Sequence, residues 1–127
     1  MTRIAFTAAL CLSFFAACGD DALPRVNQEI RVQTDNFLPQ AAFIPKGGDV
    51  RWYNFLRKAS GNLRTVTSGI GPEDPDAGER FDVELEGWEG GETRGESFTF
   101  TFSDAETVHY FSRFPVGDEF RGMIVVQ

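Results

Sequence analysis

The sequence contains little cysteine and histidine, two side chains that commonly carry metal chemistry in proteins. Its two cysteines, Cys11 and Cys18, both lie within the first 18 of 127 residues, and His109 is the single histidine. From Gly19 onward the chain can therefore form neither a disulfide nor a thiolate metal site.

Basic residues are outnumbered by acidic ones. Lysine and arginine total 12 against 19 aspartates and glutamates, a formal net charge of −7. Counted from Cys18, 11 basic and all 19 acidic residues remain, because Arg3 alone precedes it, and 11 − 19 gives −8. We therefore expect no nucleic acid partner and no attraction to an anionic lipid surface.

The chain also lacks a hydrophobic run long enough to cross a membrane. The uncharged run from Ile4 to Ala17 has 14 residues, fewer than the roughly 20 that a spanning helix needs. Because Arg3 precedes this run and small residues follow it, the pattern predicts an export signal over residues 1–17.

The end of that signal, FFAACGDD, resembles the lipobox of bacterial lipoproteins, in which small residues precede a lipidated cysteine. The resemblance implies that Cys18 carries lipid. Residues 18–28 mix acidic and polar residues without periodicity, which indicates a tether, and residues 29–127 are expected to form one domain. The resemblance also implies a protein of the cell envelope, periplasmic or on the cell surface, with the membrane as a partner through the anchor. The alternative is a plain signal peptide with an incidental cysteine.

Short runs rich in β-branched and aromatic residues follow, separated by glycine, proline and acidic turns. Phe98, Phe100 and Phe102 alternate with threonines, which is typical of a strand with one buried face. No window shows the period of a helix. Seven or eight strands in about 100 residues predict an all-β antiparallel Greek-key sandwich. The runs are EIRVQT, AAFIP, DVRWYNF, RTVTS, RFDVEL, SFTFTF, TVHYFS and GMIVV.

The order of four segments resembles the cupredoxin family, the plastocyanin-like blue-copper domains. These segments are NFLPQAAFIPKGGDVRWYNF, RTVTSG, SFTFTFSDAETVHYF and RGMIVV. The resemblance implies a cupredoxin-like sandwich and, in a functional member, two histidines, a cysteine and a methionine around type 1 copper.

This sequence departs from that pattern at all four ligand positions. The resemblance assigns Arg64 to the first histidine and Ser112 to the cysteine, while Pro115 and Phe120 stand where a histidine and a methionine are expected. We expect Phe114, Pro115 and Phe120 to pack in the former pocket, and we expect no metal and no cofactor. Arg64 either presents its charge to a partner or forms a surface pair with Asp118 or Glu119.

Two other residues resemble ligands by type alone. His109 lies three residues before Ser112 on a predicted strand, so alternation places it on the opposite face from Ser112. Met123 begins an apolar run and is predicted to be a core residue. Because Ser112 and His109 face opposite ways, they cannot act as nucleophile and base, and we expect no enzyme.

Two acid-rich loops, Gly69–Arg80 and Glu84–Glu96, offer the remaining candidates. Carboxylates at 73, 74 and 76 could hold calcium, but prolines interrupt them, and a solvated charge run is the favoured interpretation. Trp88 stands in a glycine-rich loop, where it is either a contact for a protein partner or a ring folded over the sandwich edge.

These features together predict an exported lipoprotein with a copper-free cupredoxin-like domain that serves binding or assembly through a protein partner the sequence does not identify. The alternative is a plastocyanin-like, copper-binding electron-transfer protein with unrecognised ligands. A visible copper–thiolate absorption band separates the two.

We predict that Cys18→Ala releases or mislocalises the protein. Each acyl methylene buried in a membrane contributes about 0.8 kcal/mol, and stable anchoring takes more than one chain. Membrane fractionation of the wild type and the variant measures this. Correctly processed wild-type protein found wholly in the soluble fraction would contradict it.

Overall fold

The structure is a computed structural model that describes residues 25–115, 117 and 120–127. These residues form nine β-strands and no helix. The strands are β1 (Gln28–Val32), β2 (Phe37–Leu38), β3 (Ala41–Ile44), β4 (Asp49–Asn54), β5 (Arg64–Ser68), β6 (Asp82–Leu85), β7 (Ser97–Thr101), β8 (Glu106–Phe111) and β9 (Arg121–Val126).

Two sheets pack face to face as a β-sandwich. One has four strands in the order β2-β1-β4-β7, and the other has five in the order β3-β9-β8-β5-β6. The predicted all-β sandwich is confirmed. Most strand pairs are antiparallel, as expected, whereas β1 pairs with β4 and β3 with β9 in parallel. In each parallel pair the chain between the two strands includes a strand of the other sheet. Such a crossover connection lets the second strand run in the same direction as the first.

Each of the eight predicted runs overlaps one strand of the structure, and β1, β8 and β9 begin one residue before their runs. The RTVTS run coincides with β5 at both ends. The alternation in β7 is as predicted, since Thr99 and Thr101 are exposed while Phe98 and Phe100 pack against the core and Phe102, just after the strand, lies in it. The two-residue strand β2 is the element that the runs did not predict.

Aromatic side chains fill the space between the sheets. Trp52 has no exposed surface and lies against Phe81, Phe98 and Tyr110, with ring centroids 5.2 to 5.7 Å apart. Large rings contribute most to such a core because each removes a large apolar area from water. The indole Nε1 of Trp52 and the phenol of Tyr110 have no hydrogen-bond partner in the described part of the chain.

Tyr110 fits into the core because its cross-strand neighbour is a glycine. Tyr110 of β8 pairs directly with Gly122 of β9. A β-carbon at residue 122 would overlap the Tyr110 ring and hydroxyl. The missing side chain of Gly122 is therefore the space that the Tyr110 ring occupies.

The export and anchoring predictions concern residues outside the described ones. Residues 1–17, Cys18 and the tether up to residue 24 all lie there. At the end of the predicted tether, Asn27 already exchanges hydrogen bonds with Asp49, and β1 begins at Gln28, one residue before the predicted domain start. In the described residues no helix is long and apolar enough to span a bilayer.

We predict that Gly122→Ala lowers the free energy of unfolding by about 1–3 kcal/mol, the usual cost of overpacking a filled core. Gly91→Ala is the matched control, because a β-carbon there meets nothing within 4 Å. Urea denaturation of both variants measures the difference. An unchanged Gly122→Ala midpoint would contradict the packing described for Tyr110.

Candidate functional site

Three of the four predicted ligand positions meet at one end of the sandwich. Arg64 begins β5, Ser112 directly follows β8, and Phe120 directly precedes β9. The Ser112 N–H donates to the Phe120 carbonyl at 3.2 Å, and the Arg64 guanidinium carbon lies 5.9 Å from the Phe120 ring centroid. The structure therefore brings Arg64, Ser112 and Phe120 together, while their former role as ligand positions stays a prediction.

The hydroxyl of Ser112 joins two backbone segments. It accepts a hydrogen bond from the Thr65 N–H at 3.0 Å and donates one to the Phe114 carbonyl at 2.8 Å. Ser112 is buried. A buried hydroxyl with both functions used is held in one orientation, so Ser112 fastens β5 to the loop that follows β8.

Arg64 is a buried cation surrounded by backbone carbonyls. It is 3% exposed, and its guanidinium donates to the carbonyls of residues 33, 34, 61 and 63 at 2.7 to 3.3 Å. Two of these carbonyls follow β1 in the four-stranded sheet, and two precede β5 in the five-stranded sheet. Arg64 therefore connects the two sheets at this end.

Both interpretations of Arg64 drawn from the sequence are wrong about its exposure. Both interpretations assumed an exposed side chain, whereas Arg64 is buried. Asp118 and Glu119, its proposed partners, lie outside the described residues. Burial lowers the pKa of Arg64, and the nearby charge of Asp35 opposes that shift.

The aromatic closure of the pocket differs from the prediction. Phe120 is buried and packs on Phe37, with ring centroids 4.8 Å apart, and Phe37 in turn packs on Tyr110 at 4.6 Å. Phe114 is 41% exposed, and Pro115 is exposed too. The expectation that Phe114 and Pro115 fill the pocket is therefore wrong, and Phe37 takes that place.

The donor set at this end does not fit type 1 copper. That site takes two imidazoles and a thiolate with a weak axial thioether, whereas the assigned positions hold a guanidinium, a hydroxyl, a pyrrolidine ring and a phenyl ring. The hydroxyl and guanidinium already bond to the protein. A permanent cation also repels a dication at short range.

The other residues that resemble ligands lie on the outer face of the five-stranded sheet. His109 is exposed and pairs across the strands with Met123. Met123 is half-buried, so its assignment to the core is wrong. Its side chain points outward because Gly122 and Ile124 occupy the inward positions of β9.

The acidic loop after β5 uses its carboxylates internally. Asp74 accepts hydrogen bonds from the N–H groups of Ile70 and Asp76, at 3.0 and 2.9 Å. These hydrogen bonds lower the pKa of Asp74. Glu73 lies 3.9 Å from Arg121. Within the described ranges no three histidine, cysteine or acidic residues gather where they could hold a metal ion.

Trp88 is held against the segment that follows β4. Its backbone N–H donates to the Leu56 carbonyl at 2.9 Å, and the Arg57 guanidinium carbon lies 4.4 Å from the ring centroid. Trp88 is half-buried. Gly87 permits this close approach, because a β-carbon there would overlap the Leu56 carbonyl.

Sequence reasoning missed the residues that hold Arg64 and Phe120 in place. The carbonyl acceptors of Arg64 come from loops about 30 positions away and from its own turn. Backbone carbonyls carry no residue-specific signal. Phe37 did carry a residue-specific signal in the sequence, since it lies in the F-x-P part of the cupredoxin-like opening segment.

Comparison with solved structures places this fold among the cupredoxins. A copper-containing nitrite reductase from Thermus scotoductus SA-01 has a TM-score of 0.56 and 21% identity, over 88% of this chain and 25% of that one. A purple cupredoxin from Nitrosopumilus maritimus has a TM-score of 0.52 and 19% identity, over 80% of this chain and 100% of that one. An oxidised mutant of amicyanin has a TM-score of 0.53 and 15% identity, over 87% of this chain and 86% of that one.

These similarities confirm the cupredoxin-like fold. No protein-family model and no curated protein sequence matches this chain. The chain spans only a quarter of the nitrite reductase. At such identities structural likeness establishes the fold, whereas function depends on the residues of the site.

We predict that Arg64→Met lowers the free energy of unfolding by at least about 1.5–3 kcal/mol, because hydrogen bonds to a charged group are lost and buried carbonyls are left without donors. Arg80→Met is the matched control. Arg80 is exposed and pairs with Glu106 at 3.0 Å, and such surface pairs contribute about 0–1 kcal/mol. Equal losses in the two variants, measured by urea denaturation, would contradict the structural role of Arg64.

Proposed function

We propose that this protein is an exported lipoprotein, anchored through Cys18 in the cell envelope, whose cupredoxin-like domain acts as a binding or assembly module without type 1 copper. The fold supports this proposal because a β-sandwich offers two broad, rigid faces for docking. The proposal assigns the domain no catalytic reaction.

The state of Arg64 is the observation that carries the proposal. At the position assigned to the first histidine ligand, the chain has a buried cation whose donors are engaged by four backbone carbonyls. A site awaiting metal keeps free donor atoms directed into a common space. Here the end of the sandwich is fastened by protein hydrogen bonds.

The surroundings of Ser112 support the absence of a catalytic role. Its hydroxyl donates to the Phe114 carbonyl, so its proton is directed to the backbone and not to a base. His109 lies on the exposed side of β8. A nucleophilic serine needs a base within hydrogen-bonding reach, and opposite faces of one strand do not provide that.

One observation favours a second function, a copper-binding electron-transfer protein with other ligands. His109 and Met123 are cross-strand partners, and paired side chains lie about 4.5–5.5 Å apart at their β-carbons. Imidazole and thioether are both copper ligands. Arg121 and Gln40 line the same shallow outer pocket, and a cationic neighbour disfavours copper.

We predict that wild-type protein develops no blue absorption with copper(II), because a copper–thiolate band requires a cysteine ligand. The combined variant Arg64→His, Ser112→Cys and Pro115→His is expected to gain such a band, since it restores two imidazoles and the thiolate at the assigned positions. Visible absorption during a copper titration measures both.

The titration also separates the two functions. His109→Ala is the matched control, because it removes the one imidazole of the wild-type chain and leaves the sandwich interior unchanged. Stoichiometric copper binding that His109→Ala or Met123→Leu abolishes would support the electron-transfer alternative. Blue wild-type protein, or a melting temperature that falls sharply with chelator, would overturn the copper-free proposal.

A further inference from the structure

A row of side chains crosses the outer face of the four-stranded sheet. Leu38 pairs with Arg31, Arg31 pairs with Tyr53, and Tyr53 pairs with Ser97. Phe55 follows β4 and packs on Tyr53, with centroids 6.3 Å apart. Leu38 is 47% exposed and Phe55 39% exposed, so the row offers apolar surface to solvent beside an arginine.

Arg31 is held in place without a carboxylate partner. Its guanidinium carbon lies 4.5 Å from the Phe55 ring centroid, and its Nε donates to the Tyr53 hydroxyl at 3.2 Å. Arg31 is exposed. None of the ion pairs within the described ranges includes it. A guanidinium fixed through Nε leaves its terminal nitrogens oriented for a planar anion such as a carboxylate.

Arg94 is fixed on the other side of Tyr53. Its guanidinium carbon lies 4.1 Å from the Tyr53 ring centroid, and it pairs with Glu29 at 3.0 Å. Arg51 pairs with the same Glu29 oxygen at 2.9 Å. Burial raises the pKa of Glu29, but hydrogen bonds from Arg51 and Arg94 outweigh it, and the pKa lies below its ordinary value. Glu29 is thus a charged acceptor already shared by two arginines.

The charge balance of this face is opposite to that of the chain. Arg31, Arg51 and Arg94 lie on this face, and Glu29 pairs with Arg51 and Arg94 but not with Arg31, whereas the chain carries a net charge of −7. Aromatic residues and arginine are the types most enriched in protein interfaces. A side chain that is already ordered also loses little entropy on binding.

We propose that the outer face formed by Arg31, Leu38, Tyr53, Phe55 and Arg94, the arginine–aromatic face, docks an acidic segment of a partner protein. A carboxylate of that segment binds the terminal nitrogens of Arg31, and an adjacent apolar side chain covers Leu38 and Phe55. This inference rests on the proposed role as a binding module and names its surface and the chemistry of its partner.

Charge favours a protein partner over a lipid surface. Recognition of anionic lipid headgroups takes clusters of about four to eight basic residues, and Arg51 is buried here while Arg94 is half-buried. The strong negative charge of the chain also opposes adsorption to an anionic membrane. The single oriented guanidinium of Arg31, beside apolar surface, suits one carboxylate of a protein segment whose surface is complementary to this face.

The test uses the full-length chain in neutral detergent and a blocked triglutamate peptide as the probe, with triglutamine as the uncharged control. Side-chain Nε–H signals of arginine in NMR spectra report the contact directly. We expect the Arg31 signal and the amides of β1 and β2 to shift saturably with triglutamate only. Arg31→Gln is expected to weaken binding at least about fivefold, the loss of a charge-assisted hydrogen bond.

Arg80→Gln is the matched control variant, because Arg80 is an exposed arginine 5.8 Å from the Phe100 ring that already has Glu106 as its partner. It is expected to change the affinity less than twofold. Equal responses to the two peptides, or equal losses in the two variants, would overturn the inference.

Two other outcomes would assign a different partner to this face and would also overturn the inference. One is binding of the Cys18→Ala chain to phosphatidylserine vesicles, abolished by Arg31→Gln, with no response to triglutamate. The other is self-association in sedimentation experiments that Arg31→Gln abolishes. Copper binding in the separate titration would overturn the copper-free proposal but would not change a positive triglutamate result. Failure of the proposed function can therefore be distinguished from failure of this inference.

Discussion

The hydrogen bonds between Arg64 and the carbonyls around it determine what this end of the sandwich can do. They join the segment after β1 to the segment before β5, one from each sheet. A buried cation is tolerated only when its donors are matched by acceptors, and here the backbone supplies them. Ser112 and Phe120 pack into the arrangement that Arg64 fixes. This end of the sandwich is thereby held together by hydrogen bonds within the protein.

Arginine serves two distinct purposes in this chain. Buried, as Arg64, it bonds to carbonyls and stabilises the fold. Exposed and stacked on a ring, as Arg31, it keeps donors available. The guanidinium suits both roles because it is planar, permanently charged and weakly hydrated. An excess of acidic residues elsewhere makes the few exposed arginines the distinctive electrostatic feature of the surface.

The strands were predictable, but several of the site's contacts were not. Alternation of apolar and polar residues indicated β7, and the uninterrupted RTVTS run indicated β5, because each pattern is local. A strand of two residues, β2, is too short to carry such a pattern. The partners of Arg64 are loop carbonyls brought near by folding, and the cover over Trp88 is a side chain 31 positions earlier in the sequence, Arg57. Long-range contacts of this kind leave no trace in local composition.

The pairing of Tyr110 with Gly122 also determines how β8 and β9 align. If β9 slipped by two residues, Tyr110 would lie opposite Phe120 or Ile124, and neither leaves room for the phenol ring. A slip by one residue would turn the inward side chains of β9 towards solvent. Gly122 therefore fixes the register of β9 against β8. Since β3 lies parallel to β9 on its other side, the glycine that fixes the β8–β9 register lies in the middle one of three neighbouring strands.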